Sequence, residues 1–148
     1  MNKIGFIGAG NMAGSLIGGL LKAGYKADDI RASDPAPLDK EKQLGIEVIN
    51  DNPAIAAWAD VIILAVKPQV LKSVCKQIAE QVAQHHNLII SIAAGIRSNS
   101  ITNWLDSDAA CIRVMPNTPA LIGLGMSGLY ANPQTSQAQI GSAIDIMQ

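Results

Sequence analysis

The sequence predicts an α/β domain built on a doubly wound, mainly parallel sheet. Short apolar runs alternate with helical patterns along the chain, as in proteins made of right-handed β-α-β crossovers. Apolar residues make up 49% of the 148 residues, charged residues only 16% and aromatic residues 3%. Aliphatic side chains of this kind fill a sheet that helices cover on both faces, and the chain is long enough for one domain with its own core. The net charge of −1 gives no indication of a nucleic-acid partner.

The first elements follow from apolar runs and from the residues that end them. A strand is predicted at residues 3–7, and the helix after it, at 12–23, ends at Gly24, a residue typical of helix C-caps. Asp34-Pro35 ends the second strand, and Gly45 ends the second helix. The elements predicted next are a strand at Ile30–Ser33, a weak helix at Pro37–Leu44 and a brief strand at Glu47–Ile49.

The second half of the chain repeats this alternation. Asn52 followed by Pro53 predicts an N-cap and the first position of a short helix that ends near Trp58. Residues 61–66 have no polar alternation, which is typical of a central parallel strand, and residues 70–83 carry an apolar helical stripe. The remaining predicted elements are a strand at 88–92, a helix at Ser98–Leu105, a strand at Cys111–Val114, a late strand at 128–130 and a final helix at 136–147.

The uncharged stretch at residues 4–21 resembles a signal peptide or a short membrane span. Asn11 and Ser15 interrupt it, and six glycines dilute its hydrophobicity. A strand, a turn and a helix explain the same residues better. We therefore expect a cytoplasmic protein with no membrane partner.

Neither the cysteines nor the histidines predict a metal site. Cys75 and Cys111 lie far apart in the sequence, and we interpret them as buried, small apolar side chains rather than as a disulfide. His85 and His86 are adjacent near a helix end, so their side chains point in different directions. We expect no metal ion.

A glycine-rich turn, Gly8-Ala9-Gly10-Asn11-Met12-Ala13, joins the first strand to the first helix. In this context the pattern is typical of dinucleotide binding, although an ordinary glycine turn is the alternative. Gly8 permits the tight turn, Gly10 lets the backbone approach a pyrophosphate, and Ala13 lets the helix pack closely on the strand. Free N–H groups and the dipole of the helix start favour phosphate binding. The turn therefore predicts a Rossmann-type NAD(P)-binding domain.

The choice between NADH and NADPH is decided at the end of the second strand. Asp34 lies about twenty residues past the turn, where an acid commonly binds the adenosine ribose hydroxyl and repels a 2′-phosphate. Ser33 is the alternative, since it is able to hold a 2′-phosphate if Asp34 turns away. The nearest cations in the sequence are Arg31 and Lys40. Both cofactors stay open on these residues alone.

Four motifs occur in order and span most of the chain. They are Gly5-Phe6-Ile7-Gly8-Ala9-Gly10-Asn11-Met12-Ala13, Ala65-Val66-Lys67-Pro68, Ser91-Ile92-Ala93-Ala94-Gly95 and Met115-Pro116-Asn117-Thr118-Pro119. This set resembles the pyrroline-5-carboxylate reductase family. The resemblance implies an oxidoreductase of proline biosynthesis, in which NADPH or NADH reduces the C=N bond of 1-pyrroline-5-carboxylate to give L-proline.

The resemblance and the position of ligands at the carboxyl ends of parallel strands together predict the binding residues. The predicted cofactor-binding residues are Ile7, Gly8, Ala9, Gly10, Asn11, Met12, Ala13, Ser33, Asp34, Asn52, Ala65, Val66, Lys67, Pro68 and Ala94. Asn117 and Thr118, held between two prolines, are the substrate contacts that the family pattern implies. No histidine or glutamate stands out as a general acid, so no catalytic residue is assigned.

The sequence departs from the family in one respect. The resemblance implies a second, helical domain, which forms an intertwined homo-oligomer and supplies a Ser-Gly-Ser-Gly-Pro-type stretch for the substrate carboxylate. The sequence contains no such stretch and stops at Gln148, before the final strand expected of the first domain. We therefore expect residues 1–148 to be the cofactor-binding domain, truncated near its C-terminal end, with little turnover alone.

Two other functions remain as alternatives. A 3-hydroxyacid dehydrogenase of the hydroxyisobutyrate type also opens with Gly-Phe-Ile-Gly, but it usually continues Gly-x-Met-Gly. The motifs Ala65-Val66-Lys67-Pro68 and Asn117-Thr118-Pro119 argue against that reaction. A non-enzymatic nucleotide-binding module is the second alternative.

Overall fold

The computed structural model describes residues 2–114 and 128–147, so the predicted substrate contacts Asn117 and Thr118 lie outside the described residues. The strands are β1 Ile4–Ile7, β2 Ile30–Ser33, β3 Glu47–Ile49, β4 Val61–Leu64, β5 Leu88–Ser91, β6 Cys111–Val114 and β7 Leu129–Ala131. The helices are α1 Asn11–Lys22, α2 Pro37–Leu44, α3 Asn52–Trp58, α4 Pro68–His85, α5 Ser98–Leu105 and α6 Gln137–Met147. A 3₁₀ turn at Ala27–Asp29, which was not predicted, precedes β2.

The strands form one sheet in the order β3-β2-β1-β4-β5-β6-β7. All pairs are parallel except β6 with β7, which is antiparallel. The chain moves outward from β1 to β3, then returns to place β4 on the other side of β1. The structure thus confirms the predicted doubly wound, Rossmann-type sheet, and β1 and β4 lie side by side at the point where the winding direction changes.

The sheet separates two apolar cores. In β4, Val61 and Ile63 pack with side chains of α1 and α6, whereas Ile62 and Leu64 pack with side chains of α3, α4 and α5. All four residues are at most 2% exposed. Burial on both faces explains why this strand has no polar alternation in the sequence.

Helix α3 packs closely on β1 because residue 5 is a glycine. A Cβ atom there would lie 2.6 Å from Cγ2 of Ile55 and 2.8 Å from Cβ of Ala59. The predicted N-cap of α3 is wrong by one residue. Asp51 caps the helix, since its Oδ1 accepts the N–H of Ala54 at 3.1 Å.

Several predicted boundaries differ by one or two residues. Strand β4 ends at Leu64 rather than at residue 66, and α4 begins at Pro68, where the missing N–H of proline costs no helical hydrogen bond. Val70, which belongs to the predicted apolar stripe, is 43% exposed. Among the described residues, no helix is both long enough and apolar enough to cross a membrane.

Candidate functional site

The glycine-rich turn is anchored to both strands that flank β1. Gly8 has a φ of +99°, and its N–H donates to the carbonyl of Ser33 at the end of β2, at 2.8 Å. The N–H of Ala65, just past β4, donates to the carbonyl of Ile7 at 2.9 Å. A Cβ atom at residue 8 would lie 2.6 Å from the carbonyl oxygen of Ala65. The turn is therefore held tightly where β1, β2 and β4 end.

Helix α1 presents an open N-terminus just beyond this turn. Gly10 is the N-cap residue and provides no side-chain cap, and the first bond of the helix runs from the N–H of Gly14 to the carbonyl of Gly10 at 2.9 Å. The N–H groups of Asn11, Met12 and Ala13 precede that ladder. A Cβ atom at residue 10 would meet nothing within 4 Å. Donors, helix dipole and open space together suit the binding of a phosphate group.

A cavity of about 560 Å³ lies beside the turn, bounded by the ends of β1 and β2, the start of α3 and the first turns of α4. Six predicted residues line it: Ile7, Gly8, Ser33, Asp34, Asn52 and Val66. The structure thus brings residues from four separate segments to one wall, at the edge where open α/β sheets bind their ligands.

The other described residues that were predicted to bind the cofactor do not line this cavity. Ala9 is 2% exposed and Ala13 is 1% exposed, so both reach a ligand only through the backbone. Lys67 is the exposed N-cap residue of α4, and its side chain makes no capping bond. The further predicted residues outside the cavity lining are Gly10, Asn11, Met12, Ala65, Pro68 and Ala94.

One wall of the cavity was not predicted as part of the site. It consists of residues on one face of α4, spaced at i, i+3, i+4 and i+7. They are Val70, Ser73, Val74 and Gln77. Gln77 is also joined to the site, since its Oε1 accepts the side-chain N–H of Asn52 at 2.8 Å. The helical spacing signals this face, but the two valines were predicted only as part of the apolar stripe of the helix.

The remaining unpredicted lining residues come from the segments that follow β2 and β3. They are Pro35, Asn50, Asp51 and Pro53. They adjoin Asp34 and Asn52, which were predicted, so the corner between β3 and α3 contributes more of the wall than the motifs indicated.

The two cysteines, on α4 and β6, are free thiols inside the apolar core that α3, α4 and α5 cover. Burial raises the pKa of Cys75 to about 12, with a further contribution from the charge of Cys111. Burial also raises the pKa of Cys111 to about 11, against the opposing effects of the Ser98 hydroxyl and Arg113. Neither thiol is a nucleophile near neutral pH, because the thiolate is the reactive form.

We expect iodoacetamide at pH 8 to leave both thiols unmodified in the folded chain and to alkylate both in 6 M guanidinium.

Because folding raises the two pKa values above 9, the free energy of unfolding should fall as the pH rises from 9 towards 11. Mass spectrometry and urea unfolding across that range measure the two effects. Alkylation of the folded chain at the rate of a free cysteine peptide would contradict this assignment.

Comparison with known proteins agrees with this geometry. A family model described as NADP oxidoreductase coenzyme F420-dependent matches residues 3–95. The chain belongs to this family. The matched segment contains β1 to β5, and with them the glycine turn and every described residue of the predicted site.

Among curated relatives, the pyrroline-5-carboxylate reductase of Pseudomonas aeruginosa is 50% identical over 144 residues, which cover 95% of this chain and 52% of that protein. A solved pyrroline-5-carboxylate reductase from Coxiella burnetii matches with a TM-score of 0.91 at 35% identity, covering 99% of this chain and 55% of that one. The Plasmodium falciparum pyrroline carboxylate reductase with NADP bound matches with a TM-score of 0.86 at 28% identity, covering 99% and 54%.

These matches confirm the resemblance that the four motifs predicted. The chain spans about half the length of the curated relatives it matches.

Proposed function

We propose that this chain binds NADH or NADPH at the carboxyl edge of its sheet, and that it is the cofactor-binding part of a pyrroline-5-carboxylate reductase. The observation that carries the proposal is the open N-terminus of α1 at Gly10, which adjoins the cavity at the ends of β1 and β2. The likeness to pyrroline-5-carboxylate reductases at up to 50% identity supports the choice of reaction.

The residues present fit a nicotinamide dinucleotide. The N–H groups at the start of α1 are suited to hold the pyrophosphate, and Gly10 lets it approach. Asp34, at the end of β2, is suited to accept a hydrogen bond from a ribose hydroxyl. When bound, the nicotinamide supplies the hydride that reduces the C=N carbon of the substrate. The protein contributes positioning and charge stabilisation around that transfer.

The nicotinamide end of the site is assigned to the ends of β4 and β5. Ala65 and Ala94 are small residues that leave room for a ring, and Lys67 is an exposed cation at the same edge. Asn117 and Thr118 are proposed substrate contacts, and their support is the family pattern alone.

The rest of the proposal concerns the whole protein. Residues 1–148 are proposed as one dinucleotide-binding domain. The proposed whole enzyme also has a helical substrate and dimerisation domain and is homo-oligomeric. The partner is a small molecule, and no nucleic acid or membrane is proposed. A cytoplasmic location fits the two free, buried thiols.

Calorimetric titration tests cofactor binding by this chain. We expect saturable binding of at least one of NADH and NADPH, with little turnover of 1-pyrroline-5-carboxylate by the 148-residue chain itself. Absence of binding by both dinucleotides at millimolar concentration would contradict the proposal.

The reaction is tested on the protein encoded by the whole reading frame that contains this sequence. We expect it to oxidise NADH or NADPH in the presence of 1-pyrroline-5-carboxylate and to form proline. Oxidation of a 3-hydroxyacid, with no reduction of 1-pyrroline-5-carboxylate, would overturn the choice of reaction and leave cofactor binding intact.

A further inference from the structure

Asp34 lies between the glycine turn and the start of α2, with both carboxylate oxygens engaged by the backbone. Its Oδ2 accepts the N–H of Ala9 at 3.2 Å, and its Oδ1 accepts the N–H of Ala36 at 2.9 Å. The first bond reaches 25 residues back along the chain, into the glycine-rich turn. The carboxylate is thus turned towards the binding site, which is the orientation that the sequence left undecided.

The alternative anion-binding group, Ser33, is almost fully buried. It is 2% exposed, and its Oγ accepts the N–H of Asp51 at 3.2 Å. This bond ties the end of β2 to the residue that caps α3. Ser33 supports the corner between strand and helix, and its low exposure leaves little of it accessible to a ligand phosphate.

The described wall of the cavity beside Asp34 carries negative charge. Among the described residues that line the cavity, the charged side chains are Asp34 and Asp51, with no lysine or arginine. Arg31, on the same strand, is held elsewhere: its Nε lies 2.8 Å from Oε2 of Glu47, and its guanidinium lies 4.4 Å from the centroid of the Trp58 ring. A 2′-phosphate at the end of β2 would therefore meet carboxylates without a basic partner in the cavity wall.

We infer that Asp34 makes this site select NADH over NADPH. The inference rests on the proposed function, since it concerns the cofactor of that same site. A ribose 2′-hydroxyl is a donor that the Asp34 carboxylate accepts, whereas a 2′-phosphate is a dianion that it repels. The two backbone N–H groups hold the carboxylate in this position, so it is already oriented to distinguish NADH from NADPH before either binds.

The test compares binding of NADH and NADPH by calorimetry and repeats the comparison with ADP-ribose and 2′-phospho-ADP-ribose, which lack the nicotinamide. We expect the wild-type chain to bind each form without the 2′-phosphate about tenfold more tightly, or better. Asp34→Asn removes the charge at nearly constant size and should reduce the NADH preference to about threefold or less. Asp39→Asn, on an exposed turn of α2, changes the net charge equally and should leave the preference unchanged.

Three outcomes distinguish failure of the NADH preference, of the role of Asp34 and of the proposed function. Equal or tighter binding of NADPH by the wild-type chain would overturn the preference and leave dinucleotide binding standing. A wild-type preference for NADH that Asp34→Asn does not reduce, with circular dichroism showing a folded variant, would overturn the role of Asp34. No saturable binding of any of the four compounds would overturn the proposed function, and the preference with it.

Discussion

We expect a Gly10→Leu variant to lose dinucleotide affinity by about 100-fold or more while it keeps its fold. The space beside Gly10 is empty, because a Cβ atom there would meet nothing within 4 Å. Its backbone is extended, with φ −78° and ψ −166°, which any residue adopts. Because residue 10 is exposed and a Cβ atom there meets nothing, we expect the leucine variant to fold, at a cost of about 1 kcal/mol for a poorer N-cap. It would nevertheless occupy the space through which a pyrophosphate approaches the N–H groups of α1.

Gly18→Leu is the matched control for this variant. Gly18 lies on the same helix, is exposed, and likewise has nothing within 4 Å of a built Cβ atom. It is two helical turns away from the phosphate-binding end, so NADH affinity should stay within about twofold of wild type. Calorimetry measures both affinities, and urea unfolding measures both stabilities. Wild-type NADH binding by Gly10→Leu would contradict the assignment of this helix terminus as the phosphate site.

The Gly8→Ala variant should instead lose stability, by about 3 kcal/mol, with a fall of about 10 °C in the unfolding midpoint. Two effects add at this residue. Its φ of +99° is strained for a residue with a Cβ atom, and that atom would lie 2.6 Å from the backbone oxygen of Ala65. A backbone oxygen at the end of β4 moves only if the strand moves, and the glycine turn would shift with it.

Gly24→Ala separates the two effects. Gly24 has a similar φ of +102°, but a Cβ atom there would meet nothing within 4 Å. This variant should lose only about 1 kcal/mol, the cost of strain alone. Thermal unfolding followed by circular dichroism measures both variants. Equal losses for Gly8→Ala and Gly24→Ala would show that the contact between β1 and Ala65 does not constrain the turn.

Most of the fold could be predicted from the sequence because many helices and strands end at residues with strong conformational preferences. The bounds of α2 and the strands on either side of it were correct, since Asp34-Pro35 and Gly45 end elements unambiguously. Strand β4 was predicted too long because the apolar run continues past the last strand residue, Leu64, into Ala65 and Val66. Hydrophobicity reports burial, and those two residues are partly buried at the site without belonging to the strand.

The site was predicted less completely, for reasons that involve contacts distant in sequence. Asp51 and Asn52 are both good N-cap residues, and local pattern does not choose between them. In the structure Asp51 caps the helix, and its N–H also donates to Ser33, 18 residues earlier. The orientation of Asp34 likewise depends on Ala9, which only the folded sheet brings near. Apolar spacing on α4 did not distinguish a cavity wall from core, since both require the same helical stripe.

Backbone amide NMR locates the dinucleotide site that we propose at the glycine-rich turn and the end of β2. A titration of the ¹⁵N-labelled chain with NADH should shift the amide signals of Gly10, Asn11 and Met12 most strongly, together with those next to Asp34. The signals of β7, at the far side of the sheet, should stay unchanged. Saturable shifts confined to that far side, or none at millimolar NADH, would contradict a dinucleotide site at the glycine-rich turn.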